Sequence, residues 1–279
     1  RVLDDLGAGS IYLTAAGVLL PVLLALPWLL LHFRRIFSLN SGVWAIGITF
    51  AVATAFYAEG ALRGNVARTI LLFYLTPVWS TLLARVILNE PVTPRRVMTL
   101  VLGLLGMVVI LGVDSALPLP RDLSEWLGLI AGFSWGLAMV FTQRNKEQHL
   151  GDMASVAFLS FAVIYVSLTL IPEGRHWGFE SSAFNLEAVL WILGLGLLWI
   201  IPPVVLTLYG ATEVEPGKVA ILLMLEVIIG VGTATWLTDE PFGLRELLGA
   251  LLIIAAGVTE FIPIGKTSSN KSQPKKTQA

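Results

Sequence analysis

The sequence predicts an all-α bundle of membrane-spanning helices, and three observations carry that prediction. Hydrophobic residues make up 56% of the 279 and charged residues only 13%, about half the charged share that covers a soluble domain. The apolar runs are about twenty residues long, enough to cross a hydrocarbon core of roughly 30 Å at about 1.5 Å per residue. They are longer than the roughly ten-residue strands of a membrane barrel and lack their polar–apolar alternation. The third observation is where the charges sit: most lie between the runs.

In chain order, nine spans are predicted: 11–32, 43–57, 69–88, 97–113, 127–142, 153–171, 188–209, 219–237 and 247–264. The connections carry helix breakers: Asn40-Ser41-Gly42, Glu90-Pro91, Pro118 to Pro120, Pro172-Glu173-Gly174 and Glu215-Pro216-Gly217. The longest connection, 172–187, holds Trp177 and Phe179 and is read as an interfacial aromatic anchor. Pro202-Pro203 is expected to break or bend its helix, since two backbone donors are missing. The polar stretch 265–279 has no means of burying a core and is predicted to be a disordered tail.

Lysine and arginine set the orientation. With the tail inside, twelve basic residues fall on the inner side and six on the outer, a positive-inside bias. Nine spans then place Arg1 outside, which predicts a further helix ahead of it.

Self-comparison reveals a repeat at an offset of 150. Leu88-Asn89-Glu90-Pro91-Val92 aligns with Thr238-Asp239-Glu240-Pro241-Phe242. At the same offset Arg68 meets Lys218, Leu75 meets Leu225 and Thr76 meets Glu226, while Tyr57 and Tyr209 correspond after a two-residue slip. The expected organisation is a first half over 1–113, N-terminally incomplete, a second half over 124–264, and the tail. Five spans per half is odd, so the halves enter the membrane with opposite polarity. This 5+5 inverted repeat, ten helices in all, suits a protein that alternates access around a central site.

Leu72-Phe73-Tyr74-Leu75-Thr76-Pro77-Val78-Trp79 closing on Leu88-Asn89-Glu90-Pro91 resembles the drug/metabolite transporter superfamily, in particular its EamA-type members. So do Leu223-Met224-Leu225-Glu226-Val227 and Ser134-Trp135-Gly136 with Gln143-Arg144. The resemblance implies ten helices with both termini cytoplasmic, a substrate cavity between the halves, and a multi-pass protein of the bacterial inner membrane. One departure stands out: a proline commonly follows the family's glutamate, and here Val227 does.

Glu226 falls near the centre of its span, where an ionised carboxylate costs about 2.5–3.5 kcal/mol on insertion scales. It is expected to face a polar cavity as a proton site or as the acceptor for a substrate amine; the alternative is a protonated carboxyl bonded to a neighbouring helix. Tyr74, Thr76 and Trp79 on the matched span, Trp135 mid-span and Tyr209 complete the predicted substrate site, since aromatic walls with few polar groups suit a small molecule. Glu59 is read as an i,i+4 partner of Arg63. Glu260 and Arg85 are expected to snorkel towards the inner headgroups. Gly103, Gly106, Gly128, Gly132 and Gly136 are read as close helix contacts.

A formal charge of −1 speaks against a nucleic-acid partner, and the lack of cysteine excludes disulfides, thiolate metal sites and Cys nucleophiles. His32, His149 and His176 lack ligand spacing, so no metal is expected. No cofactor, nucleotide-binding loop or catalytic constellation is visible within the spans. The expected function is transport of small metabolites, in the export direction, such as amino acids or related compounds. The expected partners are that substrate and lipid; a coupled proton and a second copy of the chain are open alternatives. Competing readings are a nucleotide-sugar antiporter, which should hold basic residues at membrane depth, an intramembrane enzyme, and a non-transporting scaffold.

Overall fold

The computed structural model describes residues 20–64, 66–111, 120–169, 201–238 and 243–261, with short pieces at 190, 193–194 and 197–198. The start of the first span, the aromatic connection 172–187, the Asp239-Glu240-Pro241 elbow and the tail lie outside the described residues. Every regular element among the described residues is a helix. They are α1 (Leu20–Leu31), α2 (Phe33–Phe37), α3 (Ser41–Arg63), α4 (Val66–Phe73), α5 (Thr76–Ile87), α6 (Pro94–Leu111), α7 (Leu123–Arg144), α8 (Leu150–Thr169), α9 (Ile201–Glu213), α10 (Pro216–Thr238) and α11 (Leu244–Phe261). Five stretches are long and apolar enough to cross a membrane: Ser41–Ala61, Arg68–Ile87, Pro94–Leu111, Leu123–Arg144 and Leu150–Ser167.

Local chemistry sets the helix ends. Asn40 caps α3, its side-chain oxygen accepting from Val43 N at 3.0 Å. Asp122 caps α7 by accepting from Glu125 N at 2.9 Å, so this helix starts four residues ahead of the expected span. At the end of α5, Asn89 takes a left-handed conformation with φ of 58°. The amide of Glu90 then donates back to Ala84 O at 3.2 Å, and Pro91 follows as a stop. Pro202 and Pro203 lie at the start of the described part of α9, and the residues just before Ile201, where the expected break or bend would show, lie outside the described residues.

The predicted span 69–88 is found as the stretch Arg68–Ile87, interrupted at Tyr74-Leu75 into α4 and α5. Pro77 has no N–H to give to Phe73 O, and the chain turns through Tyr74 and Leu75 between α4 and α5. The orphaned carbonyl is satisfied by the Thr76 hydroxyl, which donates to Phe73 O at 2.5 Å and lies 3.2 Å from Gly132 O.

α7 runs through the middle of the bundle, lying along α3 and against both α4 and α5. Gly128, Gly132 and Gly136, one turn apart, bring its backbone onto Thr69, Phe73 and Ser80. At Gly132 any Cβ would overlap the Phe73 carbonyl, so the break can approach only a glycine there. α6 packs on α11, with Gly106 so close that a Cβ would sit 2.7 Å from Gly249 O. α5 also packs on α10. Two apolar clusters result. One joins α3, α7, α8 and α9 around Phe50, Met139, Met153 and Leu208; the other joins α4, α6, α10 and α11 around Leu71, Met107, Met224 and Ile253. Val101, Leu105 and Val108 of α6 and Leu251, Ile254 and Val258 of α11 point outward as an apolar face suited to lipid.

Candidate functional site

Between the two clusters lies a cavity of about 580 Å³. Its described wall comes from six places: Thr54 and Tyr57 of α3, Phe73 and Tyr74 at the break, Trp135 of α7, Leu198 ahead of α9, Pro203 and Thr207 of α9, and Leu223 and Glu226 of α10. Each pair follows from geometry. Residues three apart share one helix face, which pairs Thr54 with Tyr57 and Leu223 with Glu226. The break turns the Tyr74 side chain in beside Phe73.

Four aromatic rings form a continuous surface. Tyr57 and Phe73 have centroids 4.6 Å apart; Phe73 meets Tyr74 edge-on at 5.4 Å and Trp135 edge-on at 5.8 Å. Phe50 backs Trp135 at 4.6 Å from the core side. Glu226 is the charged side chain of the described lining and is exposed towards the cavity. No hydrogen bond or ion pair joins it to a described residue, and the phenols of Tyr57 and Tyr74 lie within its electrostatic reach. The Thr54 hydroxyl is taken up by its own helix, donating towards Phe50 O at 3.1 Å and Ala51 O at 3.0 Å.

Of the residues predicted for the site, Glu226, Tyr74 and Trp135 come together on this cavity. Thr76, Trp79 and Tyr209 do not line it. Thr76 is buried and engaged by the broken backbone. Trp79 packs edge-on against Phe133 at 5.6 Å, between α5 and α7. Tyr209 is 54% exposed. It stands two residues, about 200° of helix rotation, beyond Thr207, and therefore on the opposite face. Sequence reading passed over Thr54, Tyr57, Phe73 and Thr207. The i,i+3 pairing of Thr54 with Tyr57 in an apolar span was the available signal for two of them.

A second, polar cavity of about 280 Å³ sits at the expected inner end, beside the Glu90-Pro91 elbow. Arg96 at the start of α6 bridges Glu215 at 2.9 Å and Glu260 at 2.8 Å, and Lys218 meets Glu215 at 3.2 Å. Glu260 is thus buried in an ion pair and does not snorkel as expected. Burial, followed by the charge of Glu215, holds the Glu90 carboxyl above the usual carboxylate range; Arg96 and Lys218 pull it the other way. At the opposite end Arg63 pairs with Glu59, as expected, and Arg68 pairs with the buried Glu125. Among the described residues no group of three His, Asp or Glu could hold a metal ion.

Comparison with known proteins fits this geometry. A profile described as the EamA-like transporter family matches residues 6–112 and 123–259. An uncharacterized transporter of Bacillus subtilis (strain 168) is 27% identical over 191 residues, covering 67% of this chain. The chain spans 63% of that relative's length, short of two thirds. A protein of Rickettsia prowazekii (strain Madrid E) named S-adenosylmethionine uptake transporter is 24% identical over 230 residues, 82% of this chain and 70% of its own. A crystal structure aligns over 90% of this chain and 87% of its own with a TM-score of 0.71 at 16% identity, a likeness of fold.

Proposed function

The chain belongs to the EamA-like transporter family, and on that premise we propose that it carries a small metabolite across the cell membrane through the cavity around Glu226. The observation that carries this reading is a carboxylate, the one charged group of the described lining, facing a cavity walled by four aromatic rings between two apolar clusters. Cavities of about 300–1,000 Å³ with few polar groups are typical small-molecule sites. Movement of one helix group against the other would open the cavity to each side in turn. Support for an inverted repeat comes from α5 on α10 and α6 on α11: helices 150 residues apart meet their own counterparts, as expected beside a two-fold axis.

The substrate is read as an amino acid or related compound, and the direction as export. Uptake is the second reading, favoured by the name of the Rickettsia relative. A nucleotide-sugar substrate is disfavoured, because no Lys, Arg or His occurs among the described lining residues to meet phosphate.

Flux into proteoliposomes, screened by counterflow over amines, amino acids and nucleosides, tests the proposal. Thr207→Trp, which fills the cavity from α9, is expected to abolish the flux. Undiminished flux through that variant removes the cavity as the route.

A further inference from the structure

We propose that this cavity selects organic monocations, amines or onium groups on an apolar body, over zwitterions and anions of the same shape. The inference rests on the reading of the cavity as the transport site and narrows its substrate, among amino acids and related compounds, to the amines, setting the zwitterionic amino acids themselves aside. Three observations combine. Glu226 faces the cavity without a hydrogen bond or ion pair from any described residue, so its charge is left to be met by the ligand. The described lining contains no Lys, Arg or His. And Tyr57, Phe73, Tyr74 and Trp135 offer the ring faces that attract a cation in a desolvated site.

The same arrangement works against a ligand carboxylate. Such a group would enter a space of the same sign as its own, with no basic side chain to bond it, and the Thr54 hydroxyl is already committed to its own helix. The other donors of the described lining are all neutral: the phenols of Tyr57 and Tyr74, the Thr207 hydroxyl and the indole N–H of Trp135, which has no partner among the described residues. A neutral hydroxyl bonds a carboxylate more weakly than a guanidinium does. A cation therefore gains from both features of the wall, the charge and the rings, whereas a zwitterion's carboxylate offsets what its ammonium gains there.

Phenethylamine, phenylalanine and phenylacetate share one aromatic body and differ in charge. Each is titrated calorimetrically into the purified full chain in detergent. Phenethylamine is expected to bind at least about tenfold more tightly than the other two, a difference of about 1.4 kcal/mol. In Glu226→Gln the preference should collapse to within about twofold, while Glu226→Asp retains it. The melting temperature of each variant reports on its fold.

Equal or tighter binding of phenylalanine, an unchanged preference in Glu226→Gln, or no binding of phenethylamine overturns the proposal. If phenylalanine wins and its flux is blocked by Thr207→Trp, the cation preference fails while the cavity stands as the route. If flux survives that plug, the route itself fails.

Discussion

Thr76 and Glu226 correspond at the 150-residue offset of the sequence, yet their surroundings differ. Thr76 is followed by Pro77, and the helix breaks; its hydroxyl is used to satisfy the carbonyl that the proline leaves open. Glu226 is followed by Val227, and α10 runs unbroken from Pro216 to Thr238. With its backbone bonds made by the helix itself, the Glu226 side chain has no repair to perform and faces the cavity. The polar group in the broken helix bonds the backbone, and the one in the intact helix lines the cavity with no hydrogen bond to a described residue. What the break contributes to the cavity is Tyr74, turned inward by the same proline.

Several substitutions sharpen this contrast, ordered by their expected effect on stability. Gly132→Ala drives a methyl group into the Phe73 carbonyl and should cost about 1–3 kcal/mol by overpacking. Because the strain falls on the break, flux should drop as well. Unfolding of purified protein in a denaturing detergent reads the first effect, and the proteoliposome assay reads the second. An unchanged unfolding midpoint would mean that α7 and the break are not in contact.

Thr76→Val keeps the shape and removes the hydroxyl. Leaving buried acceptors unpaired costs about 1–3 kcal/mol, here at the lower end because the Gly132 carbonyl keeps its own helix. Glu226→Gln is the opposite case. With no partner to lose among the described residues, its unfolding midpoint should move by less than about 0.5 kcal/mol, while flux falls at least about tenfold. A variant that transports at the native rate with unchanged pH dependence would make the carboxylate structural, like Thr76.

The smallest effect lies at the inner charge cluster. Folding holds the Glu90 carboxyl above its ordinary value, so the folded chain binds that proton more tightly than the unfolded one. The Glu90 contribution to stability is therefore fully present below the ordinary carboxylate range and is lost as pH rises through the raised value. Glu90→Gln does not titrate. It should melt slightly higher than the native chain at neutral pH, and the difference should vanish on acidification. A difference independent of pH would assign it to packing.

Much of this was legible in the sequence for physical reasons. Span length and charge placement follow from the bilayer itself, and the glycines of α7 mark a helix contact because nothing larger fits. Glu226 was legible because a carboxylate in an apolar run is costly unless it has a task. The break at Tyr74 was not, since proline near a helix start is ordinary and only the neighbouring apolar run made the span look continuous. Thr207 and Tyr209 show the limit most sharply. In a helix apolar on all sides, periodicity does not say which face is inward, and the more conspicuous tyrosine was chosen over the threonine that lines the cavity. Glu260 was placed at the lipid boundary because its partner, Arg96, is distant in sequence.

The central claim is that the Glu226 carboxyl is open to the cavity and to its ligand, whereas the buried carboxyls of Glu59, Glu125 and Glu260 are engaged. A hydrophobic carbodiimide, which reacts with accessible carboxyls inside membranes, measures this directly when the modified residues are mapped by mass spectrometry. Modification is expected at Glu226 and not at Glu59, Glu125 or Glu260, which pair with Arg63, Arg68 and Arg96. Saturating trimethyl(phenethyl)ammonium, an onium form of the amine that cannot couple to an activated carboxyl, should suppress it, and 2-phenylethanesulfonate, an anion that does not consume the reagent, should not. An unreactive Glu226, or one that reacts equally with and without the onium ion, would contradict the account.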